Sequence, residues 1–404
     1  MSGTGKDAFI APETGRNGSS SKAGRKISRK ERKLRERALV RSQSFVDDAL
    51  STATQWQLMK IRFCRNKLAI LGLVLLIIVY FIAITGNFLA PYDANIQRAK
   101  LKNLPPQRIS FIRPDGSWGP FVYGITEGYD PVTFKQQYEP DLKQVHPIRF
   151  FVKGDPYKLI GLIPGDIHLF GVGEGTVHLF GTDRLGRDLF SRCLVGAQIS
   201  CTVGLAGVLV SFVLGLILGG VSGYFGGKID AVIQRIIEFI MSLPTLPLWM
   251  ALSAAIPPEW PVLRVYFTIV LILSLVGWTG LARVVRSKFL SLKNEDFVKA
   301  ARVSGASSMR IILRHMMPMF ASHLIASLTL SVPGMILGET SLSFLGIGLR
   351  PPAVSWGLLL SEAQNIRNIA LYPWTMIPCV FIVVTVISFN FVGDGLRDAA
   401  DPYA

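Results

Sequence analysis

Six stretches of this chain are long, apolar and almost free of charge, and they restrict its fold more than any other feature. They cover roughly residues 68–90, 197–223, 239–257, 265–282, 318–338 and 372–393. Each is near the about 20 residues that an α-helix needs to cross the hydrocarbon core of a bilayer. Only 17% of all residues are charged, whereas soluble domains carry about 25%. The sequence therefore predicts an all-α polytopic membrane protein with six transmembrane helices.

Positive charge is concentrated on one side of these spans. Residues 1–67 contain sixteen Lys or Arg and six acidic residues. Eight more basic residues lie between the fourth and fifth spans, namely Arg283, Arg286, Lys288, Lys293, Lys299, Arg302, Arg310 and Arg314. Because basic residues that flank membrane spans stay in the cytoplasm, both segments are expected there. Six crossings then return the C-terminus to the cytoplasmic side.

The basic tail over residues 1–67 is interpreted as a solvated cytoplasmic segment beside the first span. Its RKISRKERKLRER stretch could also be attracted to anionic lipid headgroups, which would make the tail an anchor. Nucleic-acid binding is disfavoured because no aromatic side chains interleave with these charges.

Residues 91–192 separate the first two spans and are expected to lie outside the cytoplasm. The segment is rich in Pro, Gly and Tyr, and its charges nearly cancel. Alternating runs at residues 148–152 and 159–163 predict short strands. We therefore expect a small β-rich extracytoplasmic insertion between helices 1 and 2, followed by a transmembrane core over residues 193–404.

No motif for catalysis or cofactor binding occurs in the chain. The G-x-x-x-x-G-K-[ST] phosphate loop, the H-E-x-x-H motif and the G-x-S-x-G motif are all missing. The four cysteines lack a metal-ligand spacing such as C-x₂-C. The sequence thus predicts no catalytic residue, no metal site and no cofactor of its own.

Three glycines recur every four residues within the second span: Gly215, Gly219 and Gly223. This spacing places them on one face of a helix, where missing side chains let a neighbouring helix approach closely. We interpret them as a helix-packing surface, and lining of a conduit is the alternative.

Acidic and proline residues in the spans are candidates for the substrate path. Glu238 and Glu339 lie near span ends, where an acidic side chain is costly, and a structural role is equally open. Pro244, Pro247 and Pro333 should bend or break helices three and five. Such bends could open a cavity between the halves of a bundle, whereas a fixed kink is the alternative.

The loop between spans four and five reads EDFVKAARVSGASSMRIILRHMMP from Glu295. Glu295 and the aspartate after it favour a helix N-terminus, and Gly305 lets the chain turn sharply. Ser307 can cap a second short helix that ends near His315. Pro318 would then begin the next membrane helix, at a position where proline is tolerated.

The spacing of this loop resembles the EAA loop of binding-protein-dependent ABC importer permeases. The matching residues are Ala300, Ala301, Gly305, Ala306 and Pro318. The family's glutamate is missing because Lys299 stands at its position. His315 and Met317 occupy the places of an aliphatic pair at the end of the family's loop.

Four further segments resemble the oligopeptide and dipeptide permeases of this family. They are GTDRLGRDLFSR from Gly181, GYFGGKID from Gly223, SFLGIG from Ser343 and GDGLRD from Gly393. Together they imply the C-type subunit of a peptide importer, with six transmembrane helices in the type I ABC importer fold.

The resemblance implies a non-catalytic permease subunit that forms half of the translocation path for di- or oligopeptides. Residues 293–318 would couple it to cytosolic ATPases, with Lys299, Ala300, Ala301, Gly305, Ala306 and Pro318 as the coupling residues. The implied partners are a second permease subunit, two ATP-binding subunits and an extracytoplasmic solute-binding protein. The complex would lie in a bacterial inner membrane, and ATP would be bound by the partner subunits.

Two alternatives remain open at this point. Permeases of similar sequence carry other solutes, such as nickel, glutathione or opine-like compounds. A stand-alone secondary transporter is disfavoured, because the chain shows no inverted repeat and almost no charge at mid-span.

Overall fold

The computed structural model describes residues 55–400, except residues 115, 130, 132–135 and 160. The chain divides after Leu58 into two units, and the second unit contains every element from the first membrane span onward. Residues 1–54 of the predicted basic tail lie outside the described residues. Its final part forms the helix Gln55–Arg65.

The described part of the chain contains eleven helices besides two short 3₁₀ helices at Ala99–Leu101 and Glu362–Gln364. They are α1 (Gln55–Arg65), α2 (Lys67–Leu89), α3 (Leu189–Phe225), α4 (Gly227–Ser242), α5 (Thr245–Ala254), α6 (Val262–Leu292), α7 (Asp296–Val303), α8 (Ser308–Phe344), α9 (Trp356–Ser361), α10 (Ile366–Leu371) and α11 (Pro373–Ala400). Helix α8 contains a π turn at Ile311–Met316 and a 3₁₀ turn at Met317–Phe320. Helix α11 opens with a 3₁₀ turn at Pro373–Met376.

Five of these helices, α2, α3, α6, α8 and α11, are long and apolar enough to cross a membrane. Helices α4 and α5 pass the same test together, but they meet at an angle of 86°, so they add a sixth span only if the bent pair crosses as a unit. The predicted class of polytopic helical membrane protein is confirmed.

The prediction of one apolar span over residues 239–257 is wrong in detail. The helix pair that covers it begins at Gly227, and the chain breaks at Leu243 and Pro244. Proline has no amide hydrogen and its ring excludes the preceding helical turn, so α5 starts afresh after Pro244. Pro333 behaves differently, because α8 continues through it without a break.

The insertion between α2 and α3 is a four-stranded antiparallel sheet of order β1-β2-β3-β4. Its strands are β1 (Ser110–Ile112), β2 (Trp118–Tyr129), β3 (Gln136–Leu159) and β4 (Ile163–Val172). The first part of β3 pairs with β2, for example Phe121 with Pro147, and the second part pairs with β4, for example Ile148 with Val172. The predicted β-rich insertion is confirmed.

The two strand predictions within the insertion differ in outcome. Residues 148–152 do lie in β3. The run 159–163 is instead the turn between β3 and β4, with Leu159 paired to Ile163 and Gly161 at φ +73°. Glycine adopts this left-handed conformation without the steric cost that a side chain would add, so the chain reverses there.

Helix α3 is central to the bundle and packs against α2, α6 and α8. Val203, Ile269 and Ile336 are fully buried where α3, α6 and α8 meet. A second cluster surrounds Trp356, which is fully buried in α9 and donates its indole N–H to the carbonyl of Cys193 in α3 at 2.9 Å. The short helix α9 is thus held inside the bundle.

Candidate functional site

The candidate coupling element is a helix–turn–helix formed by α7 and the start of α8. Helix α7 ends in a Schellman motif, in which Gly305 N–H donates to Arg302 at 3.0 Å and Ala306 N–H donates to Ala301 at 3.1 Å. Gly305 has φ +77°, and a Cβ atom there would meet nothing within 4 Å. The turn therefore needs glycine for its backbone conformation and not for space.

The second helix of this element starts as predicted but does not end as predicted. Ser307 caps it by accepting the Arg310 N–H at 3.4 Å. The helix does not stop near His315, however, and Pro318 lies inside α8 rather than at its beginning. Proline cannot fit the regular hydrogen-bond ladder, and the wide π turn directly before Pro318 supplies the irregularity that accommodates it.

The six predicted coupling residues do not share one environment. Lys299, Ala300, Gly305 and Pro318 are exposed, whereas Ala301 and Ala306 are half-buried. The two half-buried alanines pack against the apolar cluster beneath the loop. Of the two neighbouring alanines, Ala300 is exposed, whereas Ala301 packs against its own chain.

Sequence reasoning missed three apolar side chains that flank the Gly305 turn. They are Val303, Met309 and Leu313, which are 89%, 64% and 52% exposed. Together with Ala300 they are called the coupling face below. Exposed apolar side chains among so many basic residues make this surface a candidate for binding a partner, and apolar residues within a strongly basic segment were the available signal.

The coupling element is fastened to the bundle by a compact apolar cluster. Val298 of α7 and Ile311 of α8 are buried there with Phe289 of α6. Phe289 meets Phe320 edge-on with ring centroids 5.7 Å apart. Helix α7 also places the Arg302 guanidinium 5.9 Å from the ring centroid of Tyr224 in α3, a cation–π geometry. Movement of α7 would thus act directly on α3 and α6.

An ion pair joins three helices at the same end of the bundle. Arg286 of α6 donates to Asp230 of α4 through Nε at 2.5 Å and Nη2 at 2.6 Å. Ser222 of α3 donates its hydroxyl to the same carboxylate. Sequence reasoning quoted the GYFGGKID segment that carries Asp230 but gave the aspartate no role.

The three glycines of the second span all face α6. A Cβ atom on Gly219 would lie 2.5 Å from the carbonyl oxygen of Ala282. On Gly215 it would lie 3.0 Å from that of Trp278, and on Gly223 it would lie 2.8 Å from that of Arg286. The backbones approach too closely for a side chain at Gly219 and Gly223, and a side chain at Gly215 would require its neighbours to shift slightly.

The predicted substrate-path residues are not brought together into one site. Glu238 is exposed on α4 and pairs with Arg235 at 2.9 Å. Pro333 is buried within α8. Glu339 is fully buried and accepts hydroxyl hydrogen bonds from Ser343 at 2.7 Å and Ser355 at 2.8 Å.

The bonds of Glu339 serve to position the segment that follows α8. Ser355 also caps α9, and the backbone N–H of Trp356 donates to Ser200 of α3 at 3.0 Å. This polar cluster therefore ties α8, α9 and α3 together. The described hydrogen bonds of Glu339 thus contribute to the packing of the bundle, and its role in a substrate path stays a prediction.

A buried charged network lies where the insertion joins α3. Asp183 accepts from Arg187 Nε at 2.6 Å and from Arg192. Arg187 also donates to Glu362 at 2.8 Å, which links the segment ahead of α3 to the segment after α9. Burial raises the pKa of Glu362 above its usual range; Asp183 adds to the rise and Arg192 opposes it.

Metal binding finds no support in the described part of the chain. Among residues 55–400, apart from the seven left undescribed, no group of three or more His, Cys, Asp or Glu could hold a metal ion.

The long apolar helices and the basic helix–turn–helix between α6 and α8 define a multi-pass membrane transport permease. Residues 211–403 match the family of the binding-protein-dependent transport system inner membrane component. Residues 54–106 match the N-terminal transmembrane domain of oligopeptide transport permease C.

Full-length relatives extend this match. The dipeptide transport system permease protein DppC of Bacillus subtilis is 32% identical over 87% of this chain and 85% of its own length. The oligopeptide transport system permease protein OppC of Escherichia coli K12 is 42% identical over 55% of this chain and 71% of its own length. The chain belongs to the family of inner membrane components of binding-protein-dependent transport systems, and the predicted family is confirmed.

Solved structures show a weaker likeness. The inward-facing MetNI methionine ABC transporter aligns at 18% identity and a TM-score of 0.41, over 50% of this chain and 94% of that chain. An amino acid ABC transporter crystallised with histidines aligns at 15% identity and a TM-score of 0.38, over 51% of this chain and 94% of that chain.

Proposed function

We propose that this permease forms half of the translocation path of an ATP-driven importer of di- and oligopeptides. The cargo is inferred from relatives that are named as dipeptide and oligopeptide transport permeases. The other half of the path belongs to a second permease subunit. Two ATP-binding subunits and an extracytoplasmic solute-binding protein complete the complex, and this chain itself performs no catalysis and binds no cofactor.

The coupling face carries this proposal, because an exposed apolar surface beside a sharp turn fits a groove on a cytosolic partner. Val303 and Met309 project from both sides of the Gly305 turn, and the apolar cluster below the turn makes the element rigid. Displacement of α7 by an ATPase would be passed to α3 through Tyr224 and to α6 through Phe289.

The proposed orientation places both termini in the cytoplasm of a bacterial cell and the β-sheet insertion on the far side of the inner membrane. The eight basic residues from Arg283 to Arg314, which lie at the end of α6, in α7 and its flanks, and at the start of α8, support this orientation. In the same orientation, the buried network around Asp183 lies at the extracytoplasmic end, where a solute-binding protein delivers its cargo.

The proposal is tested with the assembled complex in nanodiscs and vesicles. Val303→Asp should abolish peptide-stimulated ATP hydrolysis and peptide uptake. Docking of the coupling face on the ATPase would strip water from the new carboxylate, and burying an unpaired charge is costly. Leu142→Asp is the control, since Leu142 is similarly exposed, at 65%, but lies in the insertion. Unchanged ATP hydrolysis and uptake in the Val303 variant would refute coupling through this face.

Cargo is tested separately with the unmodified complex. Uptake of a labelled dipeptide should be competed by unlabelled peptides and not by nickel, glutathione or opines. No uptake of the labelled peptide, together with uptake of labelled nickel, glutathione or an opine by the same complex, would replace the peptide assignment and leave the importer assignment intact.

A further inference from the structure

The far end of the β3–β4 hairpin lies beside the last turn of the first membrane span. The Asn87 side chain of α2 donates to the carbonyl of Lys158, near the end of β3, at 3.1 Å. The ring of Phe88 lies 6.4 Å from the ring of Phe151, measured between centroids. Farther from the hairpin end, the His168 ring is hydrogen-bonded to the carbonyl of Ala90. The hairpin is therefore held at the membrane exit of α2 by polar and apolar contacts.

Helix α2 is the span with the least protein cover. Only 28% of the most apolar 18-residue stretch of α2 is buried, against 39–44% of the corresponding stretches of the other four long helices. Ile77, Phe81 and Ile84 are 60%, 57% and 50% exposed along it. Since α2 spans the membrane, its last turn at Asn87–Leu89 lies at the boundary between hydrocarbon and headgroups. The hairpin end is fixed at that depth.

The hairpin end exposes large apolar side chains at this depth. Leu162 is 81% exposed in the turn, Ile163 is 62% exposed at the start of β4, and Phe151 is 69% exposed in β3. These three residues are called the hairpin surface. Leu162 and Ile163 lie at the turn, whereas Phe151 lies farther along β3, beside Phe88 of α2. Large apolar side chains with this exposure mark a contact with a partner or a membrane.

The backbone conformation of Phe151 is a second sign that its exposed side chain has a role. Its φ of +55° places a bulky residue in the left-handed region, which costs free energy for any residue with a side chain. Phe150 and Phe151 are both exposed in this part of β3, at 62% and 69%. Strain of this kind persists where a surface needs a side chain on a particular side.

We propose that the hairpin surface inserts into the lipid bilayer at the Leu89 end of α2. Lipid is favoured over a protein partner because the hairpin surface continues the lipid-exposed side of α2 at the depth of its last turn. Lys158 and the Lys153–Asp166 pair, joined at 3.0 Å, place charge beside the apolar residues. Such a mixture of apolar and cationic groups suits the interfacial region. The β-sheet insertion would thus be anchored to the membrane beside the first span.

The test uses nitroxide labels on the whole complex in nanodiscs. The label is attached to Leu162→Cys, in a background where the exposed Cys64 and the half-exposed Cys379 are replaced by serine. Collision rates with oxygen, which partitions into lipid, and with a nickel chelate, which stays in water, are then measured. Leu142→Cys is the matched control, because Leu142 is 65% exposed on the same strand. It lies seventeen residues before Leu159, up to about 55 Å away along an extended strand.

The label at position 162 should collide more with oxygen and less with nickel than the control label, at a depth of about 5–10 Å into the headgroup and acyl boundary. Equal collision with nickel at positions 162 and 142 would overturn the proposal. Low collision with both reagents at position 162 would also overturn it, because protein would then cover the hairpin surface. Ile163→Cys gives an independent reading if the Leu162 variant assembles poorly.

Discussion

Asp230 and Arg286 form a two-pronged ion pair that fastens α4 to α6, with N–O distances of 2.5 and 2.6 Å. The Asp230 side chain is 16% exposed and that of Arg286 is 31% exposed, so water screens the pair only in part. The pair sits directly after the Gly226–Gly227 turn and beside the cluster that supports α7. It is placed to keep the ends of α3, α4 and α6 moving as one body.

Removing one partner of this pair should destabilise the bundle. Arg286→Ala leaves the Asp230 carboxylate without its charged donor, and we expect a loss of about 1.5–3 kcal/mol. The measurement is thermal unfolding of the detergent-purified permease complex. Arg235→Ala is the control, because its pair with Glu238 is 84% and 61% exposed and such pairs contribute about 0–1 kcal/mol. Equal effects of the two substitutions would contradict a special role for the Asp230 pair.

Close packing of α3 on α6 leads to a second prediction. Gly219→Ala should destabilise the bundle by about 1–3 kcal/mol, because the backbone of Ala282 leaves no space for a methyl group. Gly220→Ala is the control, since its new Cβ would lie 3.7 Å from the Phe289 ring, an ordinary contact distance. Both substitutions change helix propensity alike. Identical unfolding temperatures for the two variants would show that α3 and α6 can separate at little cost.

Orientation can be tested with two exposed positions. A cysteine at Leu142 should react with an impermeant thiol reagent on intact cells, after removal of the outer membrane where one is present. In a background that lacks Cys64 and Cys379, a cysteine at Asn294, which is exposed between α6 and α7 and lies outside the coupling face, should react only after the inner membrane is permeabilised. The reverse pattern would place the coupling face outside the cytoplasm, and docking on an ATPase would then be impossible.

Hydropathy predicted the five long helices because each carries an uninterrupted apolar stretch, and hydropathy detects such a stretch whether its side chains are buried or exposed. It could not predict the geometry of the third span, where Pro244 separates two helices that are apolar in composition but bent by 86°. Composition alone does not determine the angle between these two helices. The prolines showed that a bend was expected, but its size depends on how α5 packs against α6 and α8.

Within the coupling loop, local rules predicted Gly305 and Ser307 because turns and caps depend on neighbouring residues only. The packing of Ala301 against its own chain was not predicted, because it depends on the apolar cluster that α3, α6, α7 and α8 form together. The burial of Glu339 was missed for the same reason. Its serine partner Ser355 is sixteen residues away, and no helical spacing joins the two.

The turn at Gly305 has a structural counterpart at the other end of α8. Gly346 has φ +78° and closes the helix with the same Schellman pattern, donating to Ser343 at 3.1 Å while Ile347 donates to Leu342 at 3.1 Å. A Cβ atom on either glycine would meet nothing within 4 Å. The two positions therefore differ in location but not in backbone conformation or space.

Gly305→Ala and Gly346→Ala should thus cost the same stability, about 1–2 kcal/mol each, because both force a side chain into the left-handed region. Only Gly305→Ala should disturb coupling, since it changes the angle between α7 and α8 that holds the coupling face. The measurement is the ratio of peptide uptake to ATP hydrolysis by the complex in vesicles, beside its thermal unfolding. A lowered ratio is expected for the Gly305 variant alone. An equal fall in both variants would mean that the ratio reports stability, and the α7–α8 turn would lose its assigned role in transmission.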